Sequence, residues 1–464
     1  MERYIQFVIF FVFIFSILGI IQWYVMRSYL RWLKNITTDN RYILFKRVGF
    51  AVLLVANVVF LLRFPSTDMG WYQQPWFQSM IIYPGGIFIG AIILAFIVLL
   101  FINAGLWLFK KTGTLFSFLL KSSKPAHSAE ENVTADIATS HSPNDDTEQH
   151  LTGKETSTEA HSLIDKHLKK TDFYQKVPGT FSLSRRDFLK TTGTAMITAP
   201  VAFTIGASAA TSHDYQIVHK SLYYPGLPNA LNGLRIVHLS DIHSGIYMTE
   251  TQMRDIFRLA NEQYPDLVAI TGDFVDNSTS EIPALYRAIP ELKSEYGIFG
   301  CLGNHDHYAS ASSVTSALRQ RDVQILSNTH NTLHIGGEQL SLLGVDDPMS
   351  GLTDEKRFES SSLDLPDESF KILLTHRPDM FDVSRKHDID LTLAGHTHGG
   401  QIGMDLMGLP LYPIYLFQKY PKGLFDFDRH KLYVNVGIGM VGVPVRTVRP
   451  EMTVIELTNT TSAA

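Results

Sequence analysis

The pattern of apolar and polar positions divides this chain into stretches of very different character. Ile5 to Met26 carries no charge and is interrupted by only Gln6, Ser16 and Gln22, Gly85 to Phe109 is equally apolar, and Val48 to Leu62 is a shorter run. At about 1.5 Å per residue, helices of such length cross a hydrocarbon core of about 30 Å. Three membrane spans are therefore expected within residues 1–120, the middle one with Lys46 and Arg47 reaching back to the interface. Residues 121–183 are Ser, Thr, Glu, Asp, His and Lys with few large apolar side chains. A segment of that kind cannot bury enough surface to offset its ordering entropy, so a disordered linker is expected. From Leu234 short apolar runs alternate with amphipathic ones. Strands are expected at Leu234–Leu239, Asp266–Thr271, Tyr296–Leu302, Leu340–Val345, Phe370–Leu374, Ile389–Ala394, Lys431–Val436 and Met452–Leu457. Helices are expected at Thr251–Gln263 and Ile282–Leu292. Helix and strand alternate early and strands predominate late, which predicts an α/β domain with two packed sheets and helices outside.

Charge adds an orientation. Arg27, Arg31, Lys34, Arg41, Lys46 and Arg47 cluster between the first two spans, and Lys110, Lys111, Lys121 and Lys124 follow the third. Pro65 to Gly85 holds no Lys or Arg but carries Trp71, Tyr72, Trp76 and Tyr83, as an interfacial belt would. The excess of positive charge on cytoplasmic loops then puts the N-terminus outside and the linker inside. The histidines of the linker have no regular spacing, so they read as solvated residues rather than a metal site. A net charge of −5 gives no reason to expect nucleic acid as a partner. The single cysteine, Cys301, follows an apolar run, cannot form an internal disulfide, and reads as a buried thiol.

Ser184-Arg185-Arg186-Asp187-Phe188-Leu189-Lys190 resembles the twin-arginine export signal. The mildly apolar Thr191 to Ala210 follows it and ends in Ala207-Ser208-Ala209, which resembles a signal-peptidase site. Residues 184–210 are thus either a cleaved signal or a fourth span. Both versions leave residues 211–464 outside, agreeing with the loop charges. The resemblance implies the twin-arginine translocation machinery as a partner and a domain exported already folded.

The polar residues that could carry chemistry fall just after apolar runs. They are Asp241-Ile-His243, Gly272-Asp273, Gly303-Asn304-His305-Asp306, His376, and Gly395-His396-Thr-His398-Gly399-Gly400. Ligand sites in α/β sheets lie at the carboxyl ends of strands. Carboxylate, amide and imidazole without thiolate suit Mn²⁺, Fe or Zn²⁺ and exclude a thiolate-bound structural zinc. Two such ions about 3.5–4 Å apart need a bridging carboxylate and together clamp phosphoryl oxygens. Gly272, Gly303 and Gly395 let each strand turn sharply, so that the next side chain points into the site.

This ordered set, D-x-H, G-D, G-N-H-D, H and G-H-x-H-G-G, resembles the calcineurin-like metallophosphoesterase superfamily. The likeness spans nearly all of Leu234 to Leu457. Ser240-Asp241-Ile-His243, Gln401, Gly437-Ile-Gly439 and Pro444-Val-Arg446 look like its membrane-associated bacterial branch. The resemblance implies a four-layer α/β/β/α sandwich and two divalent ions. Asp241, His243, Asp273 and His398 would hold one ion; Asp273, Asn304, His376 and His396 would hold the other. His305 would face the substrate phosphate and protonate the leaving oxygen, with Asp306 orienting it. Asp276 lies outside that set, as a supporting or a turn residue. Arg446 would meet a phosphate oxygen or form a surface ion pair. Gly403 to Phe417, apolar and punctuated by proline, is expected either to pack into the core or to form a greasy rim that meets the bilayer or an acyl chain.

Together these readings describe a hydrolase of phosphodiester or pyrophosphate bonds. It would be tethered as a multi-pass protein of a bacterial cytoplasmic membrane with its catalytic domain outside, and its phosphate-ester substrate would be lipid-linked or soluble. The alternative is a metal-dependent membrane sensor or binding module without turnover.

Overall fold

The fold is that of a computed structural model, which describes residues 2–62, 71–122, 195, 198–207, 214–406 and 409–460. By contact, residues 1–99 and 194–464 make one compact unit and residues 100–193 another. Helices run over Glu2–Ile36, Asp39–Leu61 and Tyr83–Ser122. The first predicted span lies inside Glu2–Ile36. Among the described residues, Asp39–Leu61 and Gln78–Gly105 are long and apolar enough to cross a membrane. Gln22 and Asn57, polar interruptions of two apolar runs, answer each other: each amide donates to the other's side-chain oxygen, at 2.9 and 3.2 Å. Such pairing satisfies both amides between two apolar helices. The expected linker from residue 123 on, the twin-arginine motif at 184–190 and Ser208-Ala209 lie outside the described residues; Thr198–Ala207 is a short apolar helix.

The part from residue 214 is built on two six-stranded sheets. In the first, β1 (Gln216–Tyr223), β14 (Glu451–Thr458), β2 (Arg235–Leu239), β3 (Leu267–Thr271), β4 (Ile298–Cys301) and β5 (Val323–Ile325) lie side by side, with β2 to β5 mutually parallel. In the second the order is β12 (Gly423–Phe427), β13 (His430–Val434), β9 (Leu391–Ala394), β8 (Phe370–Leu374), β7 (Glu338–Gly344) and β6 (Thr329–Ile335), parallel from β13 to β7. The parallel strands β3, β4, β8 and β9 are buried along their whole length, as their largely apolar sequences require; Lys371 in β8 is the buried exception, its Nζ donating to the Asp367 carbonyl at 2.7 Å.

One core cluster joins the sheets. Ile236, Leu267, Phe299 and Cys301 of the first meet Leu340, Ile372, Leu391 and Tyr433 of the second. A second cluster packs Met253, Ile256, Phe257, Leu285 and Val314, from helices, on the other face of the first sheet. A third packs Phe358 and Val383, also helical, with Leu343 and Leu373 of the second sheet. The Glu250–Asn261 helix starts where its capping box starts it: Gln252 N donates to Thr249 Oγ1, and Thr249 N donates to Gln252 Oε1.

Within the first unit the strand-rich part rests on the start of the Tyr83–Ser122 helix. Phe77 and Ile82 are buried with Ile246, Tyr247 and Met440, and Gln78 Nε2 donates to the Ile246 carbonyl at 3.4 Å. A β-carbon at Gly86 would meet the Tyr247 hydroxyl at 2.9 Å and the Pro444 ring, and one at Gly90 would meet Val445 Cγ2 at 2.6 Å. Small residues at these two positions let the 443–445 loop close onto the helix.

Phe299 fills the space between the sheets with no exposure. Phe299→Ala is expected to lower stability by about 3–5 kcal/mol. Thermal unfolding of the detergent-solubilised chain, followed by circular dichroism, should show a lower midpoint with unchanged low-temperature secondary structure.

Candidate metal centre

Three strands of the first sheet and two of the second end at one place. Asp241 and His243 follow β2, Asp273 follows β3, Asn304 follows β4, His376 follows β8, and His396 and His398 follow β9. The chain turns abruptly there: Asp241, His243, Asp273, His396 and His398 have φ of 51°, 49°, 53°, 72° and 50°. Left-handed backbone at a non-glycine residue costs about 1–3 kcal/mol and persists only where the surroundings impose it. Glycines make room. A β-carbon at Gly395 would strike Ser240 and Asp241, and one at Gly303 would strike the Asp273 carboxylate.

The ligand atoms fall into groups that share members. Asp241, His243 and His398 converge, as do Asp273, His376 and His396, and His243, Asp273 and His305 form a third group between them. His376 Nε2 is 3.1 Å and His243 Nε2 3.6 Å from Asp273 Oδ2, so Asp273 stands between the two sides. His243 Nε2 lies 3.1 Å from His398 Nε2, and His396 Nδ1 3.1 Å from His376 Nε2. The outer atoms fix the rings. His376 Nδ1 donates to the Thr271 carbonyl at 2.7 Å, which turns Nε2 toward Asp273. Ser240 Oγ and the His396 N–H donate to Asp241 Oδ2 at 2.6 and 3.0 Å. Asp241 Oδ1 and Asn304 Oδ1 are buried acceptors with no hydrogen-bond partner among the described residues. Two orphaned oxygens beside two pairs of facing imidazole nitrogens are costly as they stand and fit cations well.

Charge follows the same logic. Burial would raise the Asp241 and Asp273 carboxyls, but their neighbouring imidazoles, those of His398 and His376 foremost, hold both well below the usual carboxylate range. Burial would lower His243 and His376, but Asp276 and Asp273 hold the first up at about 9, and Asp273 holds the second up at about 10. Burial lowers His396 to about 4, with the positive charge of His376 adding to it.

The structure assigns the supporting residues differently from the sequence. Asp306 is fully buried and does not orient His305. Its carboxylate accepts from the N–H groups of Phe274 and Gly303 at 2.9 Å and of Val275 at 3.3 Å, tying the loops after β3 and β4 together. The His305 ring is held through Nδ1 by the carbonyl of Asp276. Asp276 also places a carboxylate oxygen 3.3 Å from His243 Nδ1, so it supports a predicted ligand. Glu281 had not been singled out. It is buried, accepts from the N–H groups of Asp276, Asn277 and Ser278 at 2.9, 2.7 and 3.0 Å, and is pushed up to about 8 by burial and then by Asp276. Its signal in the sequence was the Ser278-x-x-Glu281 capping box. Arg446 meets neither phosphate nor surface. It is fully buried and donates to the carbonyls of Val436, Gly437, Gly439 and Val448. That ties down the loop whose Gly437 (φ 75°) abuts Asp241.

Residues 234–400 match the family model for calcineurin-like phosphoesterases. A protein of Bacillus subtilis named uncharacterized metallophosphoesterase YkuE is 31% identical over 288 residues, 60% of this chain and 99% of that one. Phosphodiesterase YaeI of Escherichia coli is 30% identical over 227 residues, 48% of this chain and 82% of its own. A zebrafish (Danio rerio) protein named transmembrane protein with metallophosphoesterase domain is 32% identical over 248 residues, 50% of this chain and 54% of its own.

Two outcomes follow from this geometry. Asp276→Asn should weaken metal retention by about 10–100-fold, the scale for a group that orients a ligand, whereas Asp306→Ala should mainly lower stability, by about 3 kcal/mol for three backbone donors left without an acceptor. Equilibrium dialysis with metal analysis and thermal denaturation separate the two. Because His243 and His376 titrate near 9 and 10, both are protonated at pH 7 in the metal-free chain. Metal uptake at pH 7 should therefore release protons, and the release should vanish above about pH 10. Calorimetry in buffers of different ionisation enthalpy reads it.

Proposed function

This chain belongs to the calcineurin-like phosphoesterase family, and from that premise we propose that it is a two-metal hydrolase of phosphodiester or pyrophosphate bonds at the outer face of a bacterial cytoplasmic membrane. The observation that carries the reading is the pair of ligand groups on either side of Asp273, with the orphaned oxygens of Asp241 and Asn304 beside them. Asp241, His243, Asp273 and His398 hold one ion, and Asp273, Asn304, His376 and His396 the other, in the family's helix, sheet, sheet, helix frame. Manganese, iron or zinc suits this donor set. Bound there, the two ions supply Lewis-acid polarisation of the phosphoryl oxygens and an activated water. His305 stands beside them, its Nδ1 engaged by the Asp276 carbonyl, which leaves Nε2 to deliver a proton to the departing oxygen.

The location rests on two independent supports. Loop charges put residues 65–85 outside, and the strand-rich part rests on Phe77, Ile82, Gly86 and Gly90, at that same end of the Tyr83–Ser122 helix. Export on the Arg185-Arg186 signal by the twin-arginine machinery would bring the domain there. A site held against the outer leaflet favours a lipid-linked or other envelope phosphate over cytoplasmic nucleotides.

The test is hydrolysis of bis-p-nitrophenyl phosphate by the full chain in detergent with Mn²⁺. Turnover is expected to stop with chelator, to return with metal, and to fall by about 10²–10³-fold or more in Asp273→Asn. Metal bound at about two ions per chain without turnover of a diester, a pyrophosphate or an envelope lipid would overturn the enzyme in favour of a metal-dependent sensor or binding module.

A further inference from the structure

The segment after the His396–Gly400 loop does not enter the core. It forms a small antiparallel hairpin, Met404–Leu406 with Leu409–Leu411, followed by a helical turn at Pro413–Leu416. Along it Leu409 is 65% exposed, Leu411 49%, Tyr415 44%, Leu416 81% and Phe417 79%. That is a contiguous run of large apolar side chains in water, the kind of patch that soluble surfaces avoid unless something covers it.

Its base lies on the metal loop. A β-carbon at Gly400 would meet Ile414 Cβ at 2.9 Å, and Thr397 Oγ1 donates to the Pro421 carbonyl at 2.6 Å, so both arms close beside His396 and His398. The hairpin is also stitched to the loop that rests on the membrane helix. Gln401 Nε2 donates to the Val441 carbonyl at 2.9 Å and Val441 N to Gln401 Oε1 at 3.2 Å. Gly403 N donates to Thr447 Oγ1 at 2.8 Å, and Thr447 N donates to the Gln401 carbonyl at 2.8 Å. Between Val441 and Thr447 stand Pro444 and Val445, the residues against Gly86 and Gly90. About 20 residues of helix cross the hydrocarbon core, and counting back that far from Lys110 returns to Gly90. The exposed hairpin is therefore continuous with a contact at the outer boundary of the span. Lys422, with Nζ 3.5 Å from the Tyr412 ring centroid, and Lys419, paired with Asp382, stand at its base. Asp405, the hairpin's acid, is engaged by the Tyr412 hydroxyl at 3.0 Å. An apolar segment on a basic foot is the arrangement of an interfacial membrane anchor.

We propose that the exposed Leu409–Phe417 segment lies in the outer leaflet of the bilayer that the N-terminal helices cross, and that a lipid-linked phosphate reaches the metal ligands along it without leaving the membrane surface. The second half of this statement rests on the phosphoesterase reading; the first does not.

The test uses the full chain in nanodiscs. Cys301 is the chain's one cysteine and is fully buried, so an introduced cysteine is the one accessible thiol. An environment-sensitive fluorophore at Leu416→Cys should be quenched by acyl-chain-brominated lipid to an extent comparable with the same label at Val55→Cys in the Asp39–Leu61 helix. A label at Glu359→Cys, on the Asp354–Ser361 helix, serves as the unquenched reference. Quenching at Leu416 no greater than at Glu359 overturns the proposal, and a label shielded from water but unquenched, as under a second copy or a protein partner, overturns it equally. In the second arm Leu409→Ser/Leu416→Ser/Phe417→Ser should lower turnover of a nanodisc-embedded phosphodiester lipid by about tenfold or more, with bis-p-nitrophenyl phosphate changed by less than about twofold. Equal loss on both substrates overturns the entry route. Absence of any turnover in the wild type defeats the phosphoesterase reading and leaves the quenching result to decide the hairpin.

Discussion

Two carboxylates, Asp241 and Asp273, are held almost without exposure at the meeting point of two sheets, and the positive charge they require organises everything around them. Burying an ionised carboxylate costs several kcal/mol unless charge and hydrogen bonds are returned to it. Asp241 receives Ser240 and the His396 N–H on one oxygen, Asp273 receives the His305 N–H on one oxygen, and the remaining oxygens look at imidazoles. Those imidazoles sit in left-handed or tightly turned backbone that no local preference would choose. The strain is tolerated because each turn is fixed at one end by a buried strand and roofed by a neighbouring loop. The apolar core between the sheets thus stabilises a polar site that would not hold its shape alone.

The same frame ties the site to the apolar N-terminal helices. Arg446 gathers the carbonyls of Val436, Gly437, Gly439 and Val448, and so connects two things that lie far apart in the chain. On one side Gly437 presses on Asp241 and Gly439 N donates to the Asp241 carbonyl. On the other, Pro444 and Val445 meet Gly86 and Gly90. A fully buried guanidinium with only carbonyl partners is a costly device, and burial pulls it down to about 10. Its place at the junction of helix contact and metal ligand explains why a flexible loop would not serve. Composition divides the sequence near residues 120, 183 and 210, but contacts group residues 1–99 with 194–464, because packing depends on which surfaces fit rather than on how polar the intervening chain is.

The predicted strands at Phe370–Leu374 and Asp266–Thr271 were legible because parallel strands buried on both faces read as largely apolar runs. The residues Asp241, His243, Asp273, Asn304, His376, His396 and His398 were legible for the complementary reason: each is a polar residue just past such a run. β1 was not, since its burial is supplied by lying along β14 and Leu222 is its one fully buried residue. β5 and β6 are short or only half buried, so neither carries a periodic signal. Adjacency in sequence does not make side chains adjacent, as Asp306 and His305 show. Gly303 is the N-cap of the Asn304–Ala309 helix and Asp306 its N3 residue, so its carboxylate turns back to the Gly303 N–H while His305 points elsewhere. Arg446 shows the limit of composition: nothing in Pro-Val-Arg-Thr distinguishes an arginine that reaches solvent from one enclosed by four carbonyls.

On the two-metal reading proposed above, ions held by two carboxylates, an amide and four imidazoles would engage what all phosphate esters share, the phosphoryl oxygens, and would not tell one ester from another. Six of these seven side chains, all but Asn304, are moreover held by a backbone group or by another of the seven, which leaves them little freedom to adapt to a leaving group. Selectivity must come from the rim, and the rim is of two kinds. On one side stand Tyr308, half exposed with its ring 5.1 Å from that of His305, and Arg377, next to His376 and ion-paired with the buried Asp347. These suit a polar or aromatic portion of a substrate. On the other stands the apolar hairpin rooted at Gly400 and Pro421. A substrate whose phosphate joins a polar group to a hydrocarbon chain would engage both sides at once, and a small soluble ester would engage neither fully. Binding energy from such remote portions raises the rate only when it aligns the reacting atoms, and on the proposed reading a divided rim would do this better for an amphiphile than for a small soluble ester.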